Sequence, residues 1–496
     1  MKNFFKTSIL IAAITSMSLS CDNYVDIDPE YSIDADNFFK SASDYERALT
    51  GAYDLMQTSY LDIWIGEIAS DNSIAGGESV TDSEGLHQID AMTHGGVSNE
   101  LRSIFRWMYT GITRVNYIYE NKNKLEFEGK DRILAEAAFL RAYYYFELVK
   151  FFGDVPLIID KRLSSSEIAS QQRTPAAEVY AQIENDLTAA AETLAWTTTV
   201  KGRITKGAAL SLLGKVYLYQ NKFTESAEVL DRVINEGPYE LFGDFSTLFR
   251  VVNEGNSETV FDIEYVGIEG GGYGCFVCLE GFAAVGFHGI RGYEGPIYRD
   301  GNSYNLPTQD LVNEFETGDP RLEASILDIE AFKNSQEDPA SVKYVIGGGG
   351  HTGFYNNKYI KRADEVGAGD DDLTSPVNHK VIRYADVLLM AAEAHNRKAS
   401  PNDALARQYL NEVRDRVDMD PVNLSGAALT QAIYHERRVE LAMEQHRWFD
   451  LARWGRIVEE MDPLFEAFDP GKHTLLPVPQ SEIDLTSGAV TQNPGY

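Results

Sequence analysis

The chain has 496 residues, of which 76 are acidic and 44 are Lys or Arg, so its formal net charge is −32. A surface of this charge repels nucleic acid, because that binding depends on Lys and Arg that neutralise phosphates, and it disfavours adsorption to anionic lipid. With 44% hydrophobic residues and only three cysteines, the chain is expected to fold around a packed core and not around a disulfide framework.

The N-terminus has the layout of an export signal. Lys2 and Lys6 give it a positive start, and the apolar stretch that begins at Phe4, FFKTSILIAAITSMSLS, is too short to span a membrane. Cys21 follows at once and resembles the cysteine of a bacterial lipobox, although the leucine of that pattern stands one position later, at Leu19. We therefore predict that residues 1–20 are a signal peptide and that Cys21 carries a lipid.

Acidic residues follow the cysteine directly, at Asp22, Asp26, Asp28 and Glu30. They resemble the tag that sends lipoproteins of Bacteroidetes-type bacteria to the outer face of the outer membrane. We therefore expect a lipid-anchored protein on the cell-surface side of that membrane.

Helical periodicity dominates the next part of the chain. The stretch AEAAFLRAYYYFELVKFFGDVPLI repeats apolar residues at steps of three and four, and Gly153 and Pro156 are expected to end this helix. The apolar face comprises Ala135, Ala138, Phe139, Ala142, Phe146 and Val149. The preceding stretch SIFRWMYTGITRVNYIYENK is expected to pair with it.

Two later stretches resemble tetratricopeptide helix pairs. In the first, Leu210, Leu213, Gly214 and Tyr217 reproduce the L-G-x2-Y core, and Gly214 is expected to let the second helix approach closely. The second stretch, YADVLLMAAEAHNRKASPNDALARQYLNEVRDRV, has the same shape. No single period runs through the chain, which indicates divergent helix pairs and not a regular solenoid.

A segment of another kind lies between these pairs, at about 254–372. It begins with an alternating stretch, ETVFDIEYV, typical of a short strand, and continues with glycine interleaved with aromatic residues. Such a composition predicts loops that present rings and not packed helices. The sequence thus predicts a mostly α fold, with a helical scaffold over about 36–253 and 373–460 and a loop-rich insertion containing a few short strands.

Five stretches together resemble the SusD/RagB family of outer-membrane nutrient-binding lipoproteins. They are AEAAFLRAYYYFELVKFFGDVPLI, LPTQDLVNEFETGDPRL, VIRYADVLLMAAEAHNR, YHERRVELAMEQHRWFDLARWG and LLPVPQSEIDLTSGAVTQNPGY. The resemblance implies one SusD-like domain over 21–496, with four tetratricopeptide-like helix pairs and a C-terminal signature segment at about 474–496. It also implies a partner, a SusC-like TonB-dependent barrel transporter on which the lipoprotein acts as a hinged lid.

The signature helix carries carboxylates four residues apart, at Glu436, Glu440 and Glu444, with Arg437 and Arg438 at pairing distance. Paired carboxylates serve acid–base catalysis, but an Arg within reach of each one favours an ion-pair lattice. Trp448, Phe449, Leu451 and Trp454 are expected to belong to the core, and Arg447 to the lattice. We predict that the protein is not an enzyme.

Other chemistry is sparse in the sequence. Cys275 and Cys278 form a lone C-x2-C with no second pair, which leaves a local disulfide and a pocket lining as alternatives to a zinc site. The acidic stretch DEVGAGDDDL lacks the spacing of a calcium loop. No metal or cofactor is predicted.

Capture of an oligo- or polysaccharide is the predicted function, with delivery to the barrel transporter, because aromatic faces pack on sugar rings while carboxylates, amides and Arg bind hydroxyls. Peptide capture is the alternative, and a glycoside hydrolase or a plain tetratricopeptide scaffold comes third. The family places its site in the loop after the first long helix and in the glycine-rich insertion. The candidate residues there are Asp71, Asn72, His94, Tyr273, Cys275, Phe276, Phe287, Arg291, Tyr293, Tyr298 and Tyr355.

Overall fold

The computed structural model describes residues 38–268, 272–461, 463–464 and 466–496. The predicted signal peptide, Cys21 and the acids that follow it lie outside these residues. Within them, no helix is both long enough and apolar enough to cross a membrane.

Helices form most of the first half of the described chain. The α-helices are α1 (Ala42–Tyr53), α2 (Tyr60–Ile68), α3 (Glu84–Asp90), α4 (Asn99–Glu120), α5 (Lys130–Phe152), α6 (Ser165–Ile168), α7 (Ala176–Thr193), α8 (Lys206–Tyr219) and α9 (Phe223–Glu236). Short 3-10 turns at Asp54–Thr58, Phe245–Thr247 and Val251–Asn253 accompany them.

The two longest helices pack against each other, as the sequence predicts. Helix α4 buries one apolar face in the main core, whereas α5 is buried on nearly all sides and not only on the face that its periodicity predicts. Helix α5 ends at Phe152 because Gly153 has a φ of +69°, and a Cβ there would lie 2.8 Å from the side chain of Leu475. The predicted end of this helix is confirmed.

The first tetratricopeptide-like pair is confirmed in α8 and α9. Helix α8 begins after Thr205, whose side chain accepts a hydrogen bond from the backbone N–H of Ala208. A Cβ on Gly214 would lie 2.5 Å from Leu230 of the facing helix, so only glycine permits this approach.

Five of the six described strands lie in the second half of the chain. Its strands and helices are β2 (Thr259–Ile263), α10 (Ala283–Phe287), β3 (Tyr304–Pro307), α11 (Gln309–Glu314), α12 (Arg321–Ser325), β4 (Ile326–Asp328), α13 (Ile329–Asn334), β5 (Phe354–Asn356), β6 (His379–Arg383), α14 (Tyr384–Arg397), α15 (Asp403–Asp415), α16 (Gly426–Glu440), α17 (Arg447–Trp454), α18 (Ile457–Met461) and α19 (Gln480–Leu485). Strand β1 (Ser73–Gly76) precedes them, and 3-10 turns lie at Phe276–Cys278 and Pro339–Ser341.

Three antiparallel two-stranded ladders are present in the described chain; two of them connect the insertion with the helical scaffold, and the third, β4–β5, lies within the insertion. Strand β1 pairs with β3, with Ile74 opposite Leu306, and β4 pairs with β5. The predicted strand ETVFDIEYV is β2, which pairs with β6 and so leads directly into α14. Helices α14 and α15 form the second predicted pair.

The insertion is more structured than its glycine content indicates. Four short helices, α10 to α13, interrupt its loops, and it has a small core of its own. Tyr293, Tyr298 and Tyr355 are buried in that core, where Tyr298 packs edge-on against Phe332. The expectation that this segment presents rings on loops is therefore wrong for these three residues, since a chain of this length must bury apolar area of its own to stay ordered.

The predicted ion-pair lattice exists, but its pairs differ from those expected. Glu440 at the end of α16 is fully buried and contacts Arg383 at 2.5 Å and Arg321 at 3.0 Å, both from distant parts of the chain. Arg437 instead binds Asp386, at 2.7 Å. Residues three and four apart on a helix share a face, but where that face is buried the packed elements bring their own cations, and these meet the carboxylates of α16. Trp448, Phe449 and Leu451 belong to the core as predicted, while Trp454 is half-buried.

Candidate functional site

An open groove of about 390 Å³ lies where α2 and the start of α4 meet the insertion. This volume falls in the range of small-molecule sites in proteins. Its lining, which we call the aromatic groove, comprises Tyr60, Leu61, Trp64, Glu78, Asp82, Ser83, Asn99, Glu100, Ser103, Trp107, Tyr273, Phe276, Phe287, Arg291, Asn302 and Tyr304.

Seven rings of the groove form one continuous cluster. The ring centroid of Tyr60 lies 5.4 Å from Trp64, 6.2 Å from Trp107 and 5.8 Å from Phe276. The ring of Tyr273 lies 6.2 Å from that of Phe276 and is 55% exposed. The other two rings are those of Phe287 and Tyr304, whose centroids lie 4.9 and 5.1 Å from that of Trp64. The groove thus has a buried aromatic floor and rings with accessible faces at its edge.

The floor comes from α2, which is buried on all sides. Tyr60 and Trp64 are four residues apart, so both side chains leave the same face of the helix. The indole Nε1 of Trp64 donates a hydrogen bond of 2.9 Å to Nε2 of His288. Burial lowers the pKa of His288 to about 3, so the ring is neutral and its Nδ1–H donates to the carbonyl oxygen of Tyr359, 3.2 Å away. These bonds orient Trp64.

The opposite wall is a single 3-10 turn, Phe276–Cys278, closed by a disulfide between Cys275 and Cys278. The side-chain amide of Gln57 donates to the carbonyl oxygen of Val277 at 3.0 Å and so ties the turn to the helical scaffold. The sequence left a local disulfide and a pocket lining as alternatives for these cysteines, and the structure contains the disulfide. The turn that it closes carries Phe276, whose ring lies at the edge of the groove.

Polar groups line the rim. Glu78, Asp82 and Glu100 contribute carboxylates, and Arg291 contributes a guanidinium that lies 3.7 Å from Asp82 and 3.8 Å from Glu78. Burial and then a hydrogen bond with Asp82 raise the pKa of Tyr304, so its hydroxyl stays protonated. Carboxylates, a guanidinium and phenols are groups that bind hydroxyls.

A glycine supports this rim. Gly77 has a φ of +87°, and a Cβ on it would lie 2.7 Å from the ring of Tyr304 and 3.3 Å from the carboxylate of Asp82. Any larger residue would therefore be strained and would displace both side chains.

The predicted site residues fall into three groups. Tyr273, Phe276, Phe287 and Arg291 line the aromatic groove, and Cys275 lies beside them in the disulfide. The structure brings these five together.

The buried tyrosines of the insertion form the second group. Tyr293, Tyr298 and Tyr355 are 0–8% exposed, so they offer no free face, and none lines the groove. The Tyr293 hydroxyl donates to the carbonyl oxygen of Pro296 at 2.6 Å, which shows that it closes a local turn.

Asp71, Asn72 and His94 form the third group, and the structure places them in structural contacts. Asp71 accepts hydrogen bonds of 2.6 and 2.7 Å from Arg447, and the side-chain oxygen of Asn72 accepts one of 3.0 Å from Arg438. Burial would raise the pKa of Asp71, but Arg447 and Arg438 outweigh it and hold the pKa below its usual value. These two acceptors fix the loop after α2 to the signature helices.

His94 is buried away from the aromatic groove, next to the C-terminal residue. Its Nε2 is 2.8 Å from the hydroxyl of Tyr496, which in turn donates to the carbonyl oxygen of Leu475. This contact holds the C-terminal tail against the loop before α4.

Four rings of the groove were missed from the sequence: Tyr60, Trp64, Trp107 and Tyr304. The stretch YLDIWIGEI reads as a core helix, and nothing local separates a floor ring from an ordinary core ring. The one available signal was the i, i+4 spacing of Tyr60 and Trp64 on a helix that precedes an acidic loop.

A second groove of about 390 Å³ lies between α4 and α19. Its described lining contains two aromatic side chains, Phe105 and Tyr109, and the hydroxyl of Tyr109 is bound to the carbonyl oxygen of Pro156. The groove with seven rings is therefore the better candidate for ligand binding. In the described part of the chain no three His, Cys, Asp or Glu side chains are arranged to hold a metal ion.

Comparisons with known proteins agree with this architecture. A family model described as the SusD family matches residues 251–496, and one described as "Starch-binding associating with outer membrane" matches residues 23–218. The chain is 30% identical to SusD-like protein P2 of Formosa agariphila, over 93% of this chain and 94% of that protein. It is 24% identical to a SusD-like protein of Bacteroides ovatus, over 93% of this chain and 84% of that protein.

Solved structures give the same result. One described as a laminarin binding SusD-like protein has 33% identity and a TM-score of 0.84, covering 92% of this chain and 100% of its own. Surface glycan-binding protein A from Bacteroides fluxus has 26% identity and a TM-score of 0.80, with the same two coverages. The family resemblance of the five sequence stretches is thus confirmed, and the chain belongs to the SusD family.

Proposed function

We propose that this protein captures an oligo- or polysaccharide in the aromatic groove at the cell surface and passes it to a SusC-like TonB-dependent transporter. The observation that carries the proposal is the continuous cluster of seven rings beneath an open groove with a rim of carboxylates and a guanidinium. A packed core needs no such opening, and a sugar polymer offers the apolar ring faces and hydroxyls that these groups bind.

The exposed rings supply the binding energy. An aromatic contact is worth about 0.5–1.5 kcal/mol beyond area burial, so each dominant ring changes affinity by roughly two- to tenfold. Trp107, Phe276 and Tyr273 have accessible faces, whereas Trp64 and Tyr304 form the floor. The first three are the rings proposed to stack on the ligand.

Two relatives support a glycan as the ligand. One is described as laminarin binding and another as a surface glycan-binding protein, at 33% and 26% identity. Laminarin is therefore the first polymer to test, with starch as the second because of the family description.

Binding without turnover is part of the proposal. Most carboxylates of the signature helix region are engaged by buried cations, as Glu436 is by Arg321 and Arg414. Incubation of the purified protein with the polymer that it binds should leave the polymer length unchanged. Release of reducing ends, lost on replacement of a single Asp or Glu, would contradict the proposal.

The anchor is proposed to be a lipid on Cys21, with the acids behind it directing the protein outwards. Cys21→Ala should release the protein from the membrane fraction. Neutralising Asp22, Asp26 and Asp28 should leave it bound but inaccessible to labelling of whole cells. A Cys21→Ala protein that stays at the cell surface would refute the anchor.

The central experiment measures affinity for laminarin and starch by isothermal titration. The variants are Trp107→Ala, Tyr273→Ala and Phe276→Ala, and the matched control is Trp196→Ala, a half-exposed ring outside the groove. Each groove variant should weaken binding about two- to tenfold without a large change in melting temperature. Full affinity in all three would place the site elsewhere, and binding of peptides in place of both polymers would favour the peptide alternative.

A further inference from the structure

The aromatic groove carries an excess of negative charge. Among its described lining residues, three are carboxylates, Glu78, Asp82 and Glu100, and one, Arg291, is a cation. The Glu78 side chain is 76% exposed and that of Asp82 35%, so both can meet a ligand.

The single cation is already engaged. The guanidinium of Arg291 donates to the carbonyl oxygen of Asn302 at 2.8 Å and lies 3.7 Å from Asp82 and 3.8 Å from Glu78. Only 18% of its side chain is exposed. Its charge therefore offsets the rim carboxylates, and little of it is available to an incoming anionic group.

Further acids lie beyond the rim on the side of the insertion. Burial, followed by the charges of Asp372, Asp370 and Asp82, raises the pKa of the Tyr273 hydroxyl, so three carboxylates act on the most exposed ring of the groove. Asp372 is 2.5 Å from Lys361, but 35% of its side chain is exposed. The charge of the whole chain, −32, adds to the same field.

We propose that the groove selects uncharged glycans and rejects glycans that carry carboxylate or sulfate groups, with Glu78, Asp82 and Glu100 as the specificity-determining residues. This inference rests on the proposed function of the groove. Like charges brought together at an exposed site cost on the order of tenfold in affinity for each close pair. The same carboxylates accept strong hydrogen bonds from the hydroxyls of a neutral sugar.

The experiment compares two groups of polymers at low and high salt. The neutral ones are laminarin and starch, and the anionic ones are alginate and a sulfated galactan. The wild-type protein should bind a neutral polymer with little dependence on salt. It should bind the anionic polymers at least a hundredfold more weakly at low salt, and high salt should reduce this difference because it screens the repulsion.

The decisive variant is the triple change Glu78→Gln, Asp82→Asn and Glu100→Gln. It should gain at least tenfold in affinity for an anionic polymer while its affinity for the neutral polymer changes by less. The matched control neutralises three exposed acids outside the groove, Glu178→Gln, Glu192→Gln and Glu225→Gln. This control changes the net charge equally and should leave the selectivity unchanged.

The outcomes separate the two proposals. Wild-type binding to an anionic polymer as tight as to a neutral one would overturn the selectivity and leave glycan capture standing. An equal gain in the groove variant and the remote control would also overturn it, because the effect would then come from net charge. Binding to none of the four polymers by any variant would overturn glycan capture itself, and the selectivity with it.

Discussion

The indole N–H of Trp64 donates to Nε2 of His288 across 2.9 Å, and both residues are buried beneath the aromatic groove. His288 is held in turn by the carbonyl oxygen of Tyr359. The floor of the groove is thus oriented from below by a neutral histidine that touches no ligand, and it does not depend on a bound sugar for its position.

Replacement of His288 tests this arrangement. His288→Phe leaves the Trp64 N–H without a buried acceptor, which should reduce the free energy of unfolding by about 1–3 kcal/mol and weaken glycan binding several-fold. His288→Gln supplies a carbonyl acceptor and should restore most of the affinity. His435→Phe, outside the groove, is the control for loss of a histidine. Calorimetry measures both quantities, and unchanged affinity in His288→Phe would show that Trp64 needs no such support.

The disulfide is expected to act through Phe276. Replacing both Cys275 and Cys278 by Ser should weaken glycan binding several-fold, because the 3-10 turn that carries the ring is otherwise held mainly by Gln57. The melting temperature should change little, since Cys278 lies at the surface.

A double-mutant cycle isolates this effect. In a Phe276→Ala background, the two Ser replacements should cost no further affinity if the disulfide only positions the ring. An equal loss in both backgrounds would mean that the disulfide supports the groove by another route. Reduction of the wild-type protein with dithiothreitol should give the same loss as the Ser variants.

The buried lattice around Arg383 should dominate the stability of the C-terminal half. Its guanidinium lies 2.7 Å from Glu258, 2.5 Å from Glu440 and 2.8 Å from Glu444, all fully buried. Burial would raise the pKa of Glu440, but the arginines around it hold the pKa well below its usual value. Arg383→Met leaves these carboxylates without their shared partner and should cost about 3–5 kcal/mol.

Thermal unfolding provides the measurement for this lattice. The control is Lys343→Met, which breaks the exposed pair with Glu294 and should leave the melting temperature unchanged. A similar small effect for Arg383→Met would mean that the lattice contributes nothing beyond a surface pair.

His94 and His435 should respond to pH with opposite signs. Burial, followed by the charges of His473 and Lys472, lowers the pKa of His94 in the folded protein to about 3. In the unfolded chain the pKa of a histidine is about 6.5, so between these two values His94 binds a proton in the unfolded chain and not in the folded protein. The stability that His94 contributes is therefore complete above about pH 6.5 and falls by about 1.4 kcal/mol per pH unit below it. A hydrogen bond to Glu314 raises the pKa of His435, so its contribution is complete at low pH and is lost as the pH rises.

Urea unfolding at pH 7.5 and pH 5 compares the two histidines. The cost of His94→Gln, about 1 kcal/mol at pH 7.5, should shrink or reverse at pH 5, because the variant has no proton to gain. The cost of His435→Gln should instead be larger at pH 5. The free energy of unfolding must be compared between each variant and the wild type at the same pH, because other groups also change it with pH. Glu67, with a pKa of about 7, and Asp90, with a pKa of about 6, add stability as the pH falls, whereas His94 removes it.

The scaffold was open to prediction because its signals are local. Three of these signals can be read over a few residues: the spacing of apolar residues in α5, the glycine at position 153 that ends it, and the small residue Gly214. The first two involve neighbours along the chain, and the third involves one facing helix. The family resemblance rested on segments of the same kind. Apolar residues that recur at helical spacing, with a glycine stop after them, predict where a helix lies and ends, so these helices are found where the sequence predicts them.

The ion pairs and the groove were less predictable. The charges of α16 correctly indicated a lattice, but Glu440 meets Arg321 and Arg383 and not its helical neighbours. Asp71 and Asn72 look like loop residues free to bind a ligand, and the tertiary structure instead places Arg447 and Arg438 on them. A polar residue in a loop does not reveal from its own sequence whether a distant partner will bury it.

By itself, the sequence determined a helical SusD-type scaffold and a glycine-rich insertion that contains aromatic residues. It also predicts a signal peptide and a lipid on Cys21. Only the tertiary structure decided which rings line the aromatic groove, since Tyr273 and Phe276 lie there while Tyr293 and Tyr298 lie in a core. One contact of the turn that carries Phe276 joins the side chain of Gln57 to the carbonyl oxygen of Val277, 220 residues apart in the chain. Exposure of a ring depends on which distant segment covers it, and local periodicity carries no information about that.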